Sequence, residues 1–94
     1  MEIKTIGVVG AGQMGNGIAQ VASYSGFKVV MSDIADSFIQ KGLSTISKNL
    51  DRSVEKSKIS SQTKDEIMGR IKGTIQIRDM ADVDFVVEAA SENE

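Results

Sequence analysis

The chain has 94 residues, 40% of them hydrophobic and 26% charged, which is room for one small domain of ordinary globular composition. A net charge of -2 supplies no basic field for a nucleic-acid backbone, and the absence of cysteine and histidine removes disulfides and any thiolate or imidazole metal site, so no metal is expected. No apolar run approaches the roughly 20 residues that span a bilayer, and the first residues lack the pattern of a signal peptide. The reading is a cytoplasmic protein, from which a processed organellar one would not differ in sequence, with neither membrane nor nucleic acid as a partner.

In chain order, Ile3 to Val9 reads as a short buried strand, broken by Gly10 to Gly12. From Gln13 to Ser25 the period turns helical, with Met14, Ile18, Val21 and Ala22 on one face, and Gly26 is a natural stop. Phe27 to Met31 predicts a second strand, ending at Ser32-Asp33. Together these form a β-α-β unit of about thirty residues, the size of one parallel crossover. Asp36 to Lys56 predicts a long helix with a stripe of Ile39, Leu43, Ile46, Leu50 and Val54, and with Asp36 as its cap. A shorter helix opens between Ser60 and Thr63, where Thr63 and Glu66 match a capping box, and Ile67, Met68 and Ile71 continue it. Gly73 to Ile77 alternates as a third strand, and Phe85 to Val87 follows as a fourth after a turn over Asp79 to Asp84.

The segment Gly10-Ala11-Gly12-Gln13-Met14-Gly15 spells G-x-G-x-x-G where a strand hands over to a helix. In that setting Gly10 permits the turn, Gly12 lets a pyrophosphate approach the backbone, and Gly15 lets the helix pack closely on the strand. The helix then presents its first N–H groups and its dipole to the phosphates. A loop of this kind is also a tight turn that binds nothing; what shifts the balance is Asp33, twenty-one positions after Gly12 at the end of the second strand. A carboxylate there accepts hydrogen bonds from the hydroxyls of an adenosine ribose and repels a 2′-phosphate, and Ile34 and Ala35 supply no cation to offset it. The cofactor expected is NAD rather than NADP.

The fold class that follows is α/β, a Rossmann-type parallel sheet with about four of the roughly six strands of a full doubly wound fold, and a two-helix excursion between strands 2 and 3. Residues 1–94 read as one NAD-binding domain, the N-terminal fragment of a longer two-domain enzyme. Tyr24 and Lys28 spell a Y-x-x-x-K pair, but Gly26 ends the helix between them, so they cannot share the face that an acid–base pair needs; Tyr24 is expected to pack at the sheet edge. With no histidine present, the usual acid–base partner of hydride transfer lies outside these residues, and the fragment alone is expected to be inactive.

The run from Gly10 to Gln20, the Asp33-Ile34 pair, the helix carrying Lys41-Gly42-Leu43 and Lys48-Asn49-Leu50, the stretch Lys56-Ser57-Lys58-Ile59-Ser60 and the strand end Val86-Val87-Glu88-Ala89-Ala90 together resemble the 3-hydroxyacyl-CoA dehydrogenases, in particular the bacterial 3-hydroxybutyryl-CoA type. The resemblance covers essentially the whole chain. It implies NAD-dependent interconversion of (S)-3-hydroxyacyl-CoA and 3-ketoacyl-CoA in fatty acid and butyrate metabolism. It also implies Glu92 near the cofactor past the fourth strand, Lys56 near the nucleotide of an acyl-CoA substrate, catalytic residues beyond Glu94, and a homodimer formed through a helical second domain. Two features depart from the family pattern: Ser57 stands where bacterial relatives often carry glycine, and Ser23-Tyr24-Ser25 replaces an alanine-rich helix end. Competing readings are a 3-hydroxyisobutyrate or 6-phosphogluconate type dehydrogenase, which usually carries an Asn-Arg pair after the second strand, and a non-catalytic NAD-sensing or nucleotide-binding module.

Overall fold

The computed structural model describes residues 3–89. Its elements are β1 (Thr5–Val9), α1 (Gln13–Tyr24), β2 (Lys28–Ser32), α2 (Asp36–Glu55), α3 (Ser61–Gly69), β3 (Ile71–Thr74), a 3-10 turn (Ile77–Met80) and β4 (Phe85–Glu88). The strands form one parallel sheet in the order β3-β2-β1-β4, so the direction of travel reverses between β1 and β4. No helix among the described residues is long and apolar enough to cross a membrane.

The register explains where the core sits. Ile6, Val29, Ile71 and Phe85 form one row across the sheet, and Val8, Met31, Gly73 and Val87 form the next row on the same face. Alternation along a strand sends these side chains one way, and α1, α2 and α3 pack against them. Val8, Met31 and Ile46 are wholly buried there, with Ile39, Leu50 and Ile67 nearly so. The other face carries Gly7, Val30 and Val86, and among the described residues Met80 and Val83 of the segment before β4 cover it around Gly7. Val86 remains about half exposed, at 49%. Asp84 ties the sheet at its other end: its Oδ2 accepts from the N–H groups of Lys4 and Thr5 at 2.9 and 3.0 Å. Those two donors hold its pKa below the usual carboxylate range. The tie is therefore in place at neutral pH and is lost only as strong acid protonates the carboxyl.

Helix ends follow local chemistry more closely than the sequence pattern suggests. The N-cap of α2 is Ala35 rather than Asp36; Asp36 lies in the first turn, where its charge suits the helix dipole. The capping of α3 belongs to Ser60, whose Oγ accepts from the Thr63 N–H at 3.1 Å, so the expected Thr63–Glu66 box lies inside the helix instead. β3 begins at Ile71, which is strand and not helix, because pairing with Val29 places it in the core row. It ends at Thr74, whose hydroxyl accepts the Gln76 N–H and donates to Asp79, turning the chain away from the sheet. α1 also rotates relative to its apolar spacing. Its buried side is Gly15, Asn16, Ala19, Ala22 and Ser23, while Met14 and Val21 face outward at 50% and 66% exposure. Small residues win the sheet-facing side because the helix must lie close to β1. Tyr24 is likewise exposed rather than packed at the sheet edge.

The two departures from the family pattern acquire physical meaning here. Ser23 is fully buried: its Oγ donates to the Ile67 carbonyl at 2.6 Å, and Arg70 donates twice to the Ser23 carbonyl, from Nε at 3.0 Å and from a terminal nitrogen at 2.7 Å. This clamps the end of α1 to the end of α3. Ser57 adopts φ 60°, the left-handed conformation that closes α2. Its N–H donates to the Val54 carbonyl and that of Lys58 to the Ser53 carbonyl, the double bond pattern of a Schellman motif. A side chain in that conformation costs roughly 1–2 kcal/mol, partly offset by the greater entropy that glycine loses on folding. Ser57→Gly is therefore expected to stabilise the protein by about 0.5–1 kcal/mol, raising Tm by a few degrees in a thermal melt. An unchanged or lower Tm would show that the left-handed residue carries no strain.

Candidate functional site: a nucleotide cleft at the end of β1

The direction of the sheet reverses beside β1, and the crevice at the carboxyl ends of strands at such a switch point is where open α/β sheets take ligands. The chain leaves β1 through Gly10, whose N–H donates to the Ser32 carbonyl at 2.7 Å and whose φ of 110° no other residue adopts cheaply. α1 starts immediately afterwards and returns so close that a Cβ on Gly15 would lie 1.9 Å from the Gly10 carbonyl oxygen. The third glycine of the motif is thus a packing requirement of the turn itself.

No side chain among the described residues caps α1, and its first turn holds no acid. The N–H groups of Gln13, Met14 and Gly15 therefore precede the first intrahelical bond, which runs from the Asn16 N–H to the Gly12 carbonyl at 2.8 Å. They open, with the positive end of the helix dipole, toward a cavity of about 590 Å³. That volume lies within the usual range for small-molecule and cofactor sites. Its floor is Gly10 to Gln13 with Asn16, Asp33 closes it from the end of β2, and one face of α2 forms the opposite wall through Phe38, Lys41 and Thr45. An exposed glycine at the helix start, uncapped N–H groups and a carboxylate across the cleft together fit the pyrophosphate and ribose of a dinucleotide.

Asp33 is half-buried, with both oxygens engaged: Oδ2 accepts from the Ala11 N–H at 2.8 Å and Oδ1 from the Ile34 N–H at 2.7 Å. Gly10, Ala11, Gly12, Gln13 and Asp33 thus converge on one cavity. Gly15 lies beneath it, and the Met14 side chain points into a separate apolar groove on the outer side of α1, leaving only its backbone for the cleft. Lys56 is exposed at the end of α2, about 16 Å along the helix axis from Thr45 at 1.5 Å per residue. Glu92 lies outside the described residues.

Sequence reasoning misses part of the wall. Asn16 is buried, and its Nδ2 donates to the Gly12 carbonyl at 2.8 Å and to the Ala11 carbonyl at 3.5 Å, holding the loop from below. Gly42 lets α2 approach the loop: a Cβ there would fall 2.8 Å from the Ala11 carbonyl oxygen. A glycine inside a long helix costs about 1 kcal/mol against alanine, and that penalty is the signal that could have marked Gly42 in advance. Lys41 supplies a cation to the cavity from one turn into α2, where attention to Ile34 and Ala35 alone finds none. It takes part in no ion pair among the described residues.

The family model for the 3-hydroxyacyl-CoA dehydrogenase NAD binding domain matches residues 5–94. The 3-hydroxybutyryl-CoA dehydrogenase of Bradyrhizobium diazoefficiens is 45% identical over 92 residues, which are 98% of this chain and 31% of that protein. The probable 3-hydroxybutyryl-CoA dehydrogenase of Deinococcus radiodurans is 48% identical over 88 residues, again 31% of its length. Among solved structures, (S)-3-hydroxybutyryl-CoA dehydrogenase from Ralstonia eutropha superimposes with a TM-score of 0.95 at 46% identity, covering 99% of this chain and 33% of that one. The chain spans about a third of the length of these relatives.

The geometry separates two glycines of α1. Gly15→Ala forces its Cβ into the Gly10 carbonyl and is expected to weaken NAD binding by more than tenfold, whereas Gly17, where a Cβ would meet nothing within 4 Å, accepts alanine freely. Gly17→Ala should raise stability by about 0.5–1 kcal/mol and leave NAD affinity unchanged. Thermal melts and NAD titration of the two variants check this, and equal behaviour would mean that the close seat of α1 does not govern the cleft.

Proposed function

As this chain belongs to the 3-hydroxyacyl-CoA dehydrogenase family, whose NAD-binding domain it forms, we propose that it serves an enzyme interconverting (S)-3-hydroxyacyl-CoA and 3-ketoacyl-CoA, with 3-hydroxybutyryl-CoA the substrate for which its relatives are named. The observation that carries the reading is the cleft that the start of α1 and Asp33 line together. NAD, when bound, supplies the hydride acceptor. Gly12 and the first N–H groups of α1 hold its pyrophosphate, and the remaining acceptor capacity of Asp33 takes the ribose hydroxyls.

The acid–base group that moves the hydroxyl proton comes from outside these 94 residues, since no histidine is present. Residues 1–94 are read as the N-terminal part of a two-domain protein whose second part completes the substrate site and pairs two copies. Two features support that division: the relatives are about three times as long, and apolar side chains stand exposed along the outer side of α1 and on β4, among them Met14, Val21, Phe85 and Val86. In this arrangement Lys56 offers a point charge to a phosphate of CoA, worth at most about 1 kcal/mol at an exposed position. We place this activity, on a CoA thioester of fatty acid or butyrate metabolism, in the cytoplasm.

The chain by itself is expected to bind NAD and to turn nothing over. Incubation with NADH and acetoacetyl-CoA, followed by absorbance, should show no oxidation; turnover would place the acid–base chemistry within these residues. Asp33→Ala should weaken NAD binding by about one to two powers of ten, the worth of two charge-assisted hydrogen bonds after solvation losses. The same change removes repulsion of a 2′-phosphate, so the NAD/NADP affinity ratio should fall. A ratio left unchanged at fixed salt would reduce Asp33 to a turn residue.

A further inference from the structure

We propose that Asp33 has a second task besides meeting the ribose: its carboxylate is the pin that sets the glycine loop before any cofactor arrives. The inference rests on the NAD reading of the cleft and deepens it. Pairing between β1 and β2 runs one residue past the strands, with the Gly10 N–H on the Ser32 carbonyl at 2.7 Å. Beyond Gly10, whose φ is 110°, the chain turns out of the sheet and Ala11 no longer meets a strand carbonyl. The Asp33 side chain takes that place, accepting the Ala11 N–H at 2.8 Å across twenty-two positions of sequence, while its other oxygen is held by the Ile34 N–H at 2.7 Å.

Ala11 is only 3% exposed, so its N–H has little water to turn to if the carboxylate is removed. The residue is fixed from three directions: Asp33 at its N–H, the Asn16 side chain at its carbonyl, and α2 behind it at Gly42. With Ala11 fixed, the peptides that follow it present their N–H groups to the pyrophosphate. A carboxylate has about four acceptor positions, so two bonds to the chain leave room for ribose hydroxyls. Asp33 is therefore both a ligand of the ribose and a positioning residue for the pyrophosphate, and simply deleting its charge cannot convert the cleft into a good NADP site, because the loop that any dinucleotide needs loses its pin.

The test compares NAD with its analogue lacking the 2′- and 3′-hydroxyls of the adenosine ribose, in the wild-type protein, Asp33→Ala and Asp33→Asn. The analogue has no hydroxyls for Asp33 to hold, so any loss of its affinity reads the loop alone. Asp33→Ala should weaken analogue binding by about five- to tenfold, the worth of one hydrogen bond, and should quicken hydrogen exchange at the Ala11 amide. Asp33→Asn keeps an oxygen for that amide and should recover most of both. Should Asp33→Ala fail to fold, Asp33→Ser, too short to reach Ala11, makes the same comparison. Unchanged analogue affinity, or unchanged exchange at Ala11, overturns the pin and leaves Asp33 a ribose ligand only. If the wild-type protein binds neither NAD nor the analogue, the cofactor reading fails, and exchange at Ala11 in the ligand-free variants decides the pin alone.

Discussion

The seat of α1 on β1 is the contact from which the rest of the structure takes its position. The helix returns within van der Waals distance of the strand it has just left, so close that the third glycine of the loop can carry no side chain. The same closeness decides which residues of α1 face the sheet: glycine, alanine, serine and one asparagine, with the larger apolar residues displaced to the outer surface. It also fixes where the helix dipole points, since a start held against the end of β1 must open over the carboxyl edge of the sheet. Packing and anion recognition are one constraint here.

α2 shares in the same arrangement more fully than its role as a crossover requires. Its stripe of Ile39, Ile46 and Leu50 fills the core, yet Gly42 on that stripe draws it against the loop, and Phe38, Lys41 and Thr45 beside it wall the cleft. A helix that both buries an apolar face and borders the ligand gives the cofactor cavity a rigid side. The α1–α3 clamp through Ser23 and Arg70 closes the opposite end of this helical layer, so Ser23, the buried one of the three residues that replace the alanine-rich helix end, serves packing.

Much of this was legible in the sequence because the governing patterns are local. The strand–loop–helix passage at Gly10 to Gly15, the stripe of α2 and the placing of Asp33 are all set by neighbours within a few residues or by one fixed crossover length. What was not legible depends on contacts between distant segments. The outward turn of Met14 and Val21 follows from how near α1 lies to β1, which periodicity does not report. The start of β3 at Ile71 follows from its pairing with Val29, and the cation at Lys41 enters the cleft only because α2 is drawn in at Gly42. The cap at Ser60 escapes sequence reasoning because Ser60, Ser61, Gln62 and Thr63 are all polar and backbone geometry selects among them, and Ala35 escapes because it brings no capping side chain at all.

All three helices lie on one face of the sheet, and β1, α1, β2 and α2 follow one another without interruption. Most contacts that shape the loop, from Gly10 to Gly42, lie within the first half of the chain; the Thr74 carbonyl, which accepts the Asp33 N–H at 3.2 Å, and Ala89, whose N–H donates to the Val9 carbonyl at 2.8 Å, come later. Domains fold from the N-terminus as they are synthesised, and sequence-near contacts form with little loss of chain entropy. The nucleotide cradle can thus take shape on a nascent chain while the second face of its sheet is still bare. A dinucleotide that binds only the folded form would draw such a young domain toward its native state by mass action.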